Sequence, residues 1–408
     1  MTDKETAMTT PTATAPTMNG RSLFLLLAST MTVMAGATLA PALPGMEAAF
    51  AQEENAEFWV KMILSAPGLL IACCAPMVGW LLDHWKKKQV LILALCLYGV
   101  SGVSGYFLHD SLVAILLGRI ALGVAVAGVM VACTTLAGDY FAGPHLARYM
   151  GVQAAFGGFG GVLFLGMAGL LADIDWTAPF LIYLFAFIVL PGAMVFLEEP
   201  ERKQPSSGEL GGAAPTPPGG PLALCYALAA FEVLALYMAP LHYPFYVAQF
   251  GVTDGSEIGF AIAGMLLLTA SVSMYYRKFG GLFPFPVLHG AGWLLIAIGW
   301  GLLGFAPSYG VALAGMAAAG VGFGMIRPNL IVWLFSYTPP MLRGRIIGGV
   351  TTCFFIGQFL CPLLTQPLID HYGISATFAI AGGVSLLLAA LLLAASLKTA
   401  PAPTAAKS

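Results

Sequence analysis

A chain of 408 residues that is 59% apolar, 9% charged and carries a net charge of −2 falls outside the composition of soluble globular proteins. That near-neutral charge says nothing about nucleic acid, and no nucleic-acid partner is expected. The seven cysteines (73, 74, 96, 133, 225, 353 and 361) form no CxxC pair and lie in apolar stretches, so they read as packing residues rather than disulfides or metal ligands.

Residues 1–20 are polar and rich in Thr, Pro and Ala. They lack the layout of a signal peptide and are expected to be a disordered tail. Apolar runs follow at about 22–46, 59–82, 89–108, 111–136, 148–172 and 177–197. Residues 199–220, EPERKQPSSGELGGAAPTPPGG, read as a flexible linker. Six further runs lie at about 221–247, 257–276, 282–306, 308–335, 345–369 and 373–397, before a second tail at 399–408. Each run approaches the roughly 20 residues that span a hydrocarbon core. The expected fold is an all-α integral membrane protein with twelve transmembrane helices.

Lys and Arg bias sets orientation. Of the 17 basic residues, Arg119 and Arg327 lie inside runs and Lys61 alone falls on the second side. The remaining 14 share a side with both termini, which predicts cytoplasmic termini.

The linker separates a bundle at 21–198 from one at 221–398. At an offset of 197, Gly123 falls on Gly320, Tyr140 on Tyr337, Arg148 on Arg345 and Gly151 on Gly348, and Phe180 meets Phe378 after one residue of slippage. Two parallel six-helix repeats suit a transporter whose site lies between the halves near the midplane. No cluster of His, Asp or Ser marks a membrane face, so an integral membrane enzyme is not expected. The histidines at 84, 109, 145, 289 and 371 read as interfacial or packing residues.

After the second run, Gly79-Trp80-Leu81-Leu82-Asp83-His84-Trp85-Lys86-Lys87-Lys88 resembles the loop signature of the major facilitator superfamily. Arg119 with Gly123 resembles a second signature. Leu39–Pro44, Asp175-Trp176-Thr177-Ala178-Pro179-Phe180 and Arg343-Gly344-Arg345 resemble segments of bacterial 12-helix drug/proton antiporters and related metabolite exporters. Two departures stand out: Phe164–Gly169 lacks the antiporters' proline, and Lys86 replaces the loop's second glycine. The resemblance covers 21–398. It implies two six-helix bundles related by a pseudo-two-fold repeat, with spans 1, 4, 7 and 10 lining a central cavity. It also implies a monomer in the bacterial cytoplasmic membrane that handles a small-molecule substrate and protons in a lipid bilayer, with no cofactor.

Three ionisable side chains lie deep in the runs: Arg119, Glu232 and Arg327. On insertion scales such a charge costs roughly 2.5–3.5 kcal/mol at a helix centre. Glu232 sits about eleven residues into the seventh run, where desolvation disfavours an ionised carboxyl; the readings are a proton carrier or a structural partner. Arg327 begins Arg327-Pro328-Asn329, and its guanidinium cannot shed its charge. It needs Glu232, a substrate anion, or each in turn. Arg119 is implied by the resemblance to couple protons or bind substrate, against hydrogen bonding to helix carbonyls. Asn329 and Tyr237 are candidates for further substrate contacts, with Thr30, Thr32 and His242 beside them, against a packing role for each. Gly79, Asp83, Lys86, Lys87 and Lys88 with Asp139 and Arg148 are expected to form an ion-pair latch that re-forms in each cycle.

The glycine-dense stretches at 157–161 and 320–324 permit close helix contact and are not nucleotide loops, because no strand precedes them. The expected function is proton-coupled export of a small amphipathic molecule or drug. A cationic cargo would compete with the proton on Glu232 and give antiport. An anionic cargo would bind Arg327 best with Glu232 protonated, which keeps a carrier of anionic metabolites, such as a carboxylate siderophore, as the alternative.

Overall fold

The computed structural model describes residues 20–141, 143–200, 219–339 and 342–398. The expected tails at 1–19 and 399–408 and most of the linker, 201–218, lie outside the described residues. Among those described, twelve helices are long and apolar enough to cross a membrane: α1 Gly20–Ala49, α2 Ala56–His84, α3 Lys87–Phe107, α4 Leu112–Tyr140, α5 Arg148–Ala172, α6 Ala178–Phe196, α7 Gly219–Phe250, α8 Gly255–Phe279, α9 Phe285–Gly304, α10 Tyr309–Ser336, α11 Arg343–Tyr372 and α12 Ile374–Ser396. No strand occurs among them. In hydrocarbon every backbone group needs a partner, which a helix supplies from within itself.

The breaks between helices follow local chemistry. Ser111 accepts the Ala114 N–H at 3.3 Å and caps α4. Asp175 accepts both the backbone N–H and the hydroxyl of Thr177, at 2.7 and 2.5 Å. These bonds start the 3₁₀ turn that opens α6 and hold the Asp175 carboxyl below the usual carboxylate range. α7 ends on Gly251 and α11 on Gly373, at φ 78° and 83°, a region that costs glycine nothing. Within α1 the α-helical ladder runs Gly20–Ala37, gives way to a 3₁₀ turn at Ala40–Ala42 and resumes at Leu43–Ala49, where Pro41 and Pro44 withhold their N–H groups.

The two halves repeat each other in contact as well as in sequence. Gly123 of α4 packs against Pro67 and Leu70 of α2, and Gly320 of α10 against Met265 of α8. Phe180 fills the space over Gly105 of α3, while Phe378 packs on Trp300 of α9, with ring centroids 5.6 Å apart. The halves meet along two seams, α2 with α11 and α5 with α8. In the second seam Gly169 lies directly on Gly255 and Gly259, and the Asp173 carboxylate accepts the Ser256 N–H at 3.2 Å. These contacts sit toward the face opposite the termini. Near the termini face, a side chain added at Gly138, Gly151, Gly344 or Gly348 would meet open space.

One residue is not where the sequence places it. Lys61, counted at the membrane edge on the second side, lies inside α2 and is fully buried. α2 begins at Ala56 because Glu57 pairs with Lys61 one turn later. An i,i+4 ion pair lets a helix continue through charges that end an apolar run.

Candidate functional site

Between the halves lies a cavity of about 290 Å³ lined by α1, α2, α4, α7, α8, α10 and α11. Its wall is mainly apolar, with Val33, Met130, Leu236, Met265, Phe354 and Phe355. The polar lining comes from Thr32, Tyr237, Arg327, Thr351 and Gln358. An apolar cavity with few polar groups is how small-molecule sites are built.

Arg327 and Glu232 form an ion pair, with Arg327 Nε donating to Glu232 Oε1 at 2.7 Å. The partners differ in exposure: the Arg327 side chain is 41% exposed and that of Glu232 1%. Glu232 therefore stands behind Arg327, away from the cavity. The guanidinium lies over the Phe354 ring, 4.7 Å from its centroid. The other Glu232 oxygen is buried and has no partner among the described residues. Among the described residues, the pair thus has an unused acceptor on one side and, on the other, a guanidinium that lines the cavity with only Nε engaged by Glu232.

Proline explains how the neighbouring backbone is held. Pro328 cannot donate to the carbonyl of Gly324, four residues earlier. Ser273 of α8 donates its hydroxyl to that carbonyl at 3.0 Å. The same device fixes Arg119. Pro67 leaves the Ile63 carbonyl free, and Arg119 Nε donates to it at 3.2 Å. Its Nη2 donates at 3.1 Å to Ala35, whose carbonyl is freed where the α1 ladder breaks. The guanidinium rests 5.0 Å from the Tyr183 ring.

Arg119 is therefore a fully buried cation tied to α1, α2 and α6, and it lies outside the cavity lining. Of the two readings of Arg119, hydrogen bonding to helix carbonyls is the arrangement that forms, because two freed carbonyls draw the side chain between the helices. Asn329 is also displaced from expectation. It donates to the Phe285 carbonyl and accepts the Tyr276 hydroxyl, both at 2.9 Å, and so ties α10 to α8 and α9 away from the cavity. Tyr237 does line the cavity, its hydroxyl filling the space a side chain at Gly36 would take. Thr32 lines it too, while Thr30 packs on Gly160. His242 is buried above the cavity with Nε2 2.7 Å from Thr365 Oγ1.

At the termini face Lys87 pairs with Asp139 at 2.6 Å. Glu199 accepts the backbone N–H groups of Lys87 and Lys88 at 2.6 and 2.9 Å, placing an anion on the N-terminus of α3. Arg21 pairs with Glu198 at 2.5 Å. These partners all belong to the first half or, for Glu199, to the start of the linker. Asp83 is exposed in the last turn of α2, Lys86 is exposed on the connecting turn, Arg148 is exposed, and Gly79 borders open space.

Sequence reasoning overlooked Gln358, Glu198, Glu199 and Lys61. Counting charges by run discards amides such as Gln358, and it discards a lysine standing at a run's edge. The signal for Lys61 was present in its i,i+4 spacing from Glu57.

The sequence model described as Major Facilitator Superfamily matches residues 25–294 and 288–408. The chain is 22% identical over 392 residues to the class D tetracycline resistance protein of Salmonella ordonez, covering 86% of this chain and 98% of that one. It is 28% identical over 148 residues to the bacillibactin exporter of Bacillus subtilis (strain 168), a match spanning 35% of this chain and only 36% of that protein. Among solved structures, a D-xylose-proton symporter superposes with a TM-score of 0.76 at 14% identity, covering 91% of this chain and 96% of that one.

Proposed function

We propose that this chain, which belongs to the major facilitator superfamily, is a proton-coupled secondary transporter that exports a small amphipathic molecule by alternating access. The family carries small molecules across membranes, and the twelve apolar helices make this a multi-pass membrane protein. The observation that carries the finer reading is the Glu232–Arg327 pair at the wall of an apolar cavity between the halves. A proton arriving on Glu232 weakens its hold on Arg327. The freed guanidinium then changes what the cavity binds, which couples the two sites through one charge pair. With both termini in the cytoplasm of a bacterial inner membrane, the arrangement seen here faces inward. The protein works as a monomer, as both halves of the site lie in one chain.

Export of drug-like cargo is supported by the tetracycline resistance relative and by the apolar wall. The second reading, an anionic cargo, is favoured by one feature: Arg327 spends only Nε on Glu232. Its remaining N–H groups, which have no hydrogen-bond partner among the described residues, can grip a carboxylate in the cavity. Transport into inverted vesicles loaded with a pH dye tests both. Tetracycline represents the amphipathic class, and a catechol carboxylate represents the anionic class. Cargo-dependent proton flux in wild type that vanishes in Glu232→Gln is the expected result. Unchanged coupling in Glu232→Gln removes the proton carrier, and full carboxylate transport by Arg327→Ala removes the anionic reading.

A further inference from the structure

The seam at the face opposite the termini contains a buried lysine that the cavity does not use. The Lys61 ammonium is ion-paired with Glu57 on its own helix. Across the interface it donates to Gln366 Oε1 of α11 at 2.8 Å and rests 4.9 Å from the Phe245 ring of α7. Gln366 Nε2 donates in turn to Asp370 at 2.8 Å. Beyond this cluster, cavities of about 430 and 380 Å³ open on that face, the larger lined partly by Gln366 and Asp370.

The partners are divided unequally. The carboxylate comes from the lysine's own helix, so it travels with α2 whenever the halves move. The other half contributes only an amide oxygen and an aromatic face. A buried ammonium stripped of its anion is costly, yet opening this seam never strips it. Only the ammonium's bonds to uncharged partners need to break, and water can replace those. A carboxylate at position 366 would change that balance, because separating the halves would then mean separating charges.

We propose that Lys61 and Gln366 form the gate at this face, with Glu57 as the counter-ion carried along and the neutral side chain at position 366 setting the gate's strength. The proposal rests on alternating access but not on any cargo or proton stoichiometry. It is read without either. Cys361, fully buried on α11 between the cavity and Gln366, is a native reporter of opening.

The protein in lipid nanodiscs exposes both faces to a membrane-impermeant maleimide, and peptide-resolved mass spectrometry follows alkylation of Cys361. Lys61 donates to an uncharged amide oxygen; Gln366→Glu makes that contact an ion pair that opening must separate, so it is expected to slow labelling by roughly fivefold. Gln366→Leu and Lys61→Met are expected to speed it by a similar factor. Equal labelling in wild type, Gln366→Glu and Gln366→Leu, with cooperative thermal unfolding intact, overturns the gate. The two substitutions at position 366 keep the comparison decisive even if Lys61→Met does not fold.

Discussion

The Glu232–Arg327 pair is lopsided, and the imbalance predicts how each partner tolerates removal. Arg327 borders the cavity and can be hydrated when its anion is gone, so Glu232→Leu should cost about 1–2 kcal/mol. Glu232 is enclosed, so Arg327→Leu abandons a buried carboxylate and should cost more, about 3–5 kcal/mol while that group stays ionised. Removing both should recover most of the larger loss. Thermal unfolding of the four proteins in one detergent checks the order, and equal losses from the two single variants would contradict the burial asymmetry. Sequence alone exposed these two residues because charge in an apolar run is conspicuous. It could not separate Arg119 from them. All three are deep charges, but the carbonyls that capture Arg119 become available only through Pro67 and the break in α1.

Helices here are joined where their own ladders fail. Pro67 in α2 and Pro328 in α10 each free one carbonyl, and a neighbouring helix supplies the donor, Arg119 in the first half and Ser273 in the second. The second case gives a clean cycle. Ser273→Ala in the wild-type background should cost about 1 kcal/mol, the net worth of an ordinary hydrogen bond. With Pro328→Ala in place, residue 328 regains its N–H, Gly324 recovers its own partner, and Ser273→Ala should cost close to nothing. Unfolding free energies of the four combinations test it, and an identical cost in both backgrounds would break the link between proline and serine. Spans of this kind were readable from apolar run length. Their joints were not, because a freed carbonyl is visible in sequence while the side chain that reaches it, about fifty residues away in both cases, is set by packing.

At the scale of the molecule, the parallel repeat was legible because duplication leaves matched residues such as Gly123 and Gly320 in matched contacts. Which face is closed was not, since it depends on how the two halves lean together. The α5–α8 seam decides much of it. Gly169 lies against the backbone of Gly255 and Gly259 with no room for a side chain, at the end of the seam that would part if the face opposite the termini opened. Gly169→Leu should therefore hold α5 off α8 there and tip the halves toward the arrangement open on that side. Gly264→Leu, on α8 but facing open space, serves as the control. Spin labels at positions 174 and 252 report the closed face, and labels at 148 and 345 report the termini face. In Gly169→Leu the first distance should lengthen and the second shorten, with Gly264→Leu matching the parent. Lengthening at both faces would mean the halves had merely been wedged apart, and the seam would then be a packing contact without a part in switching.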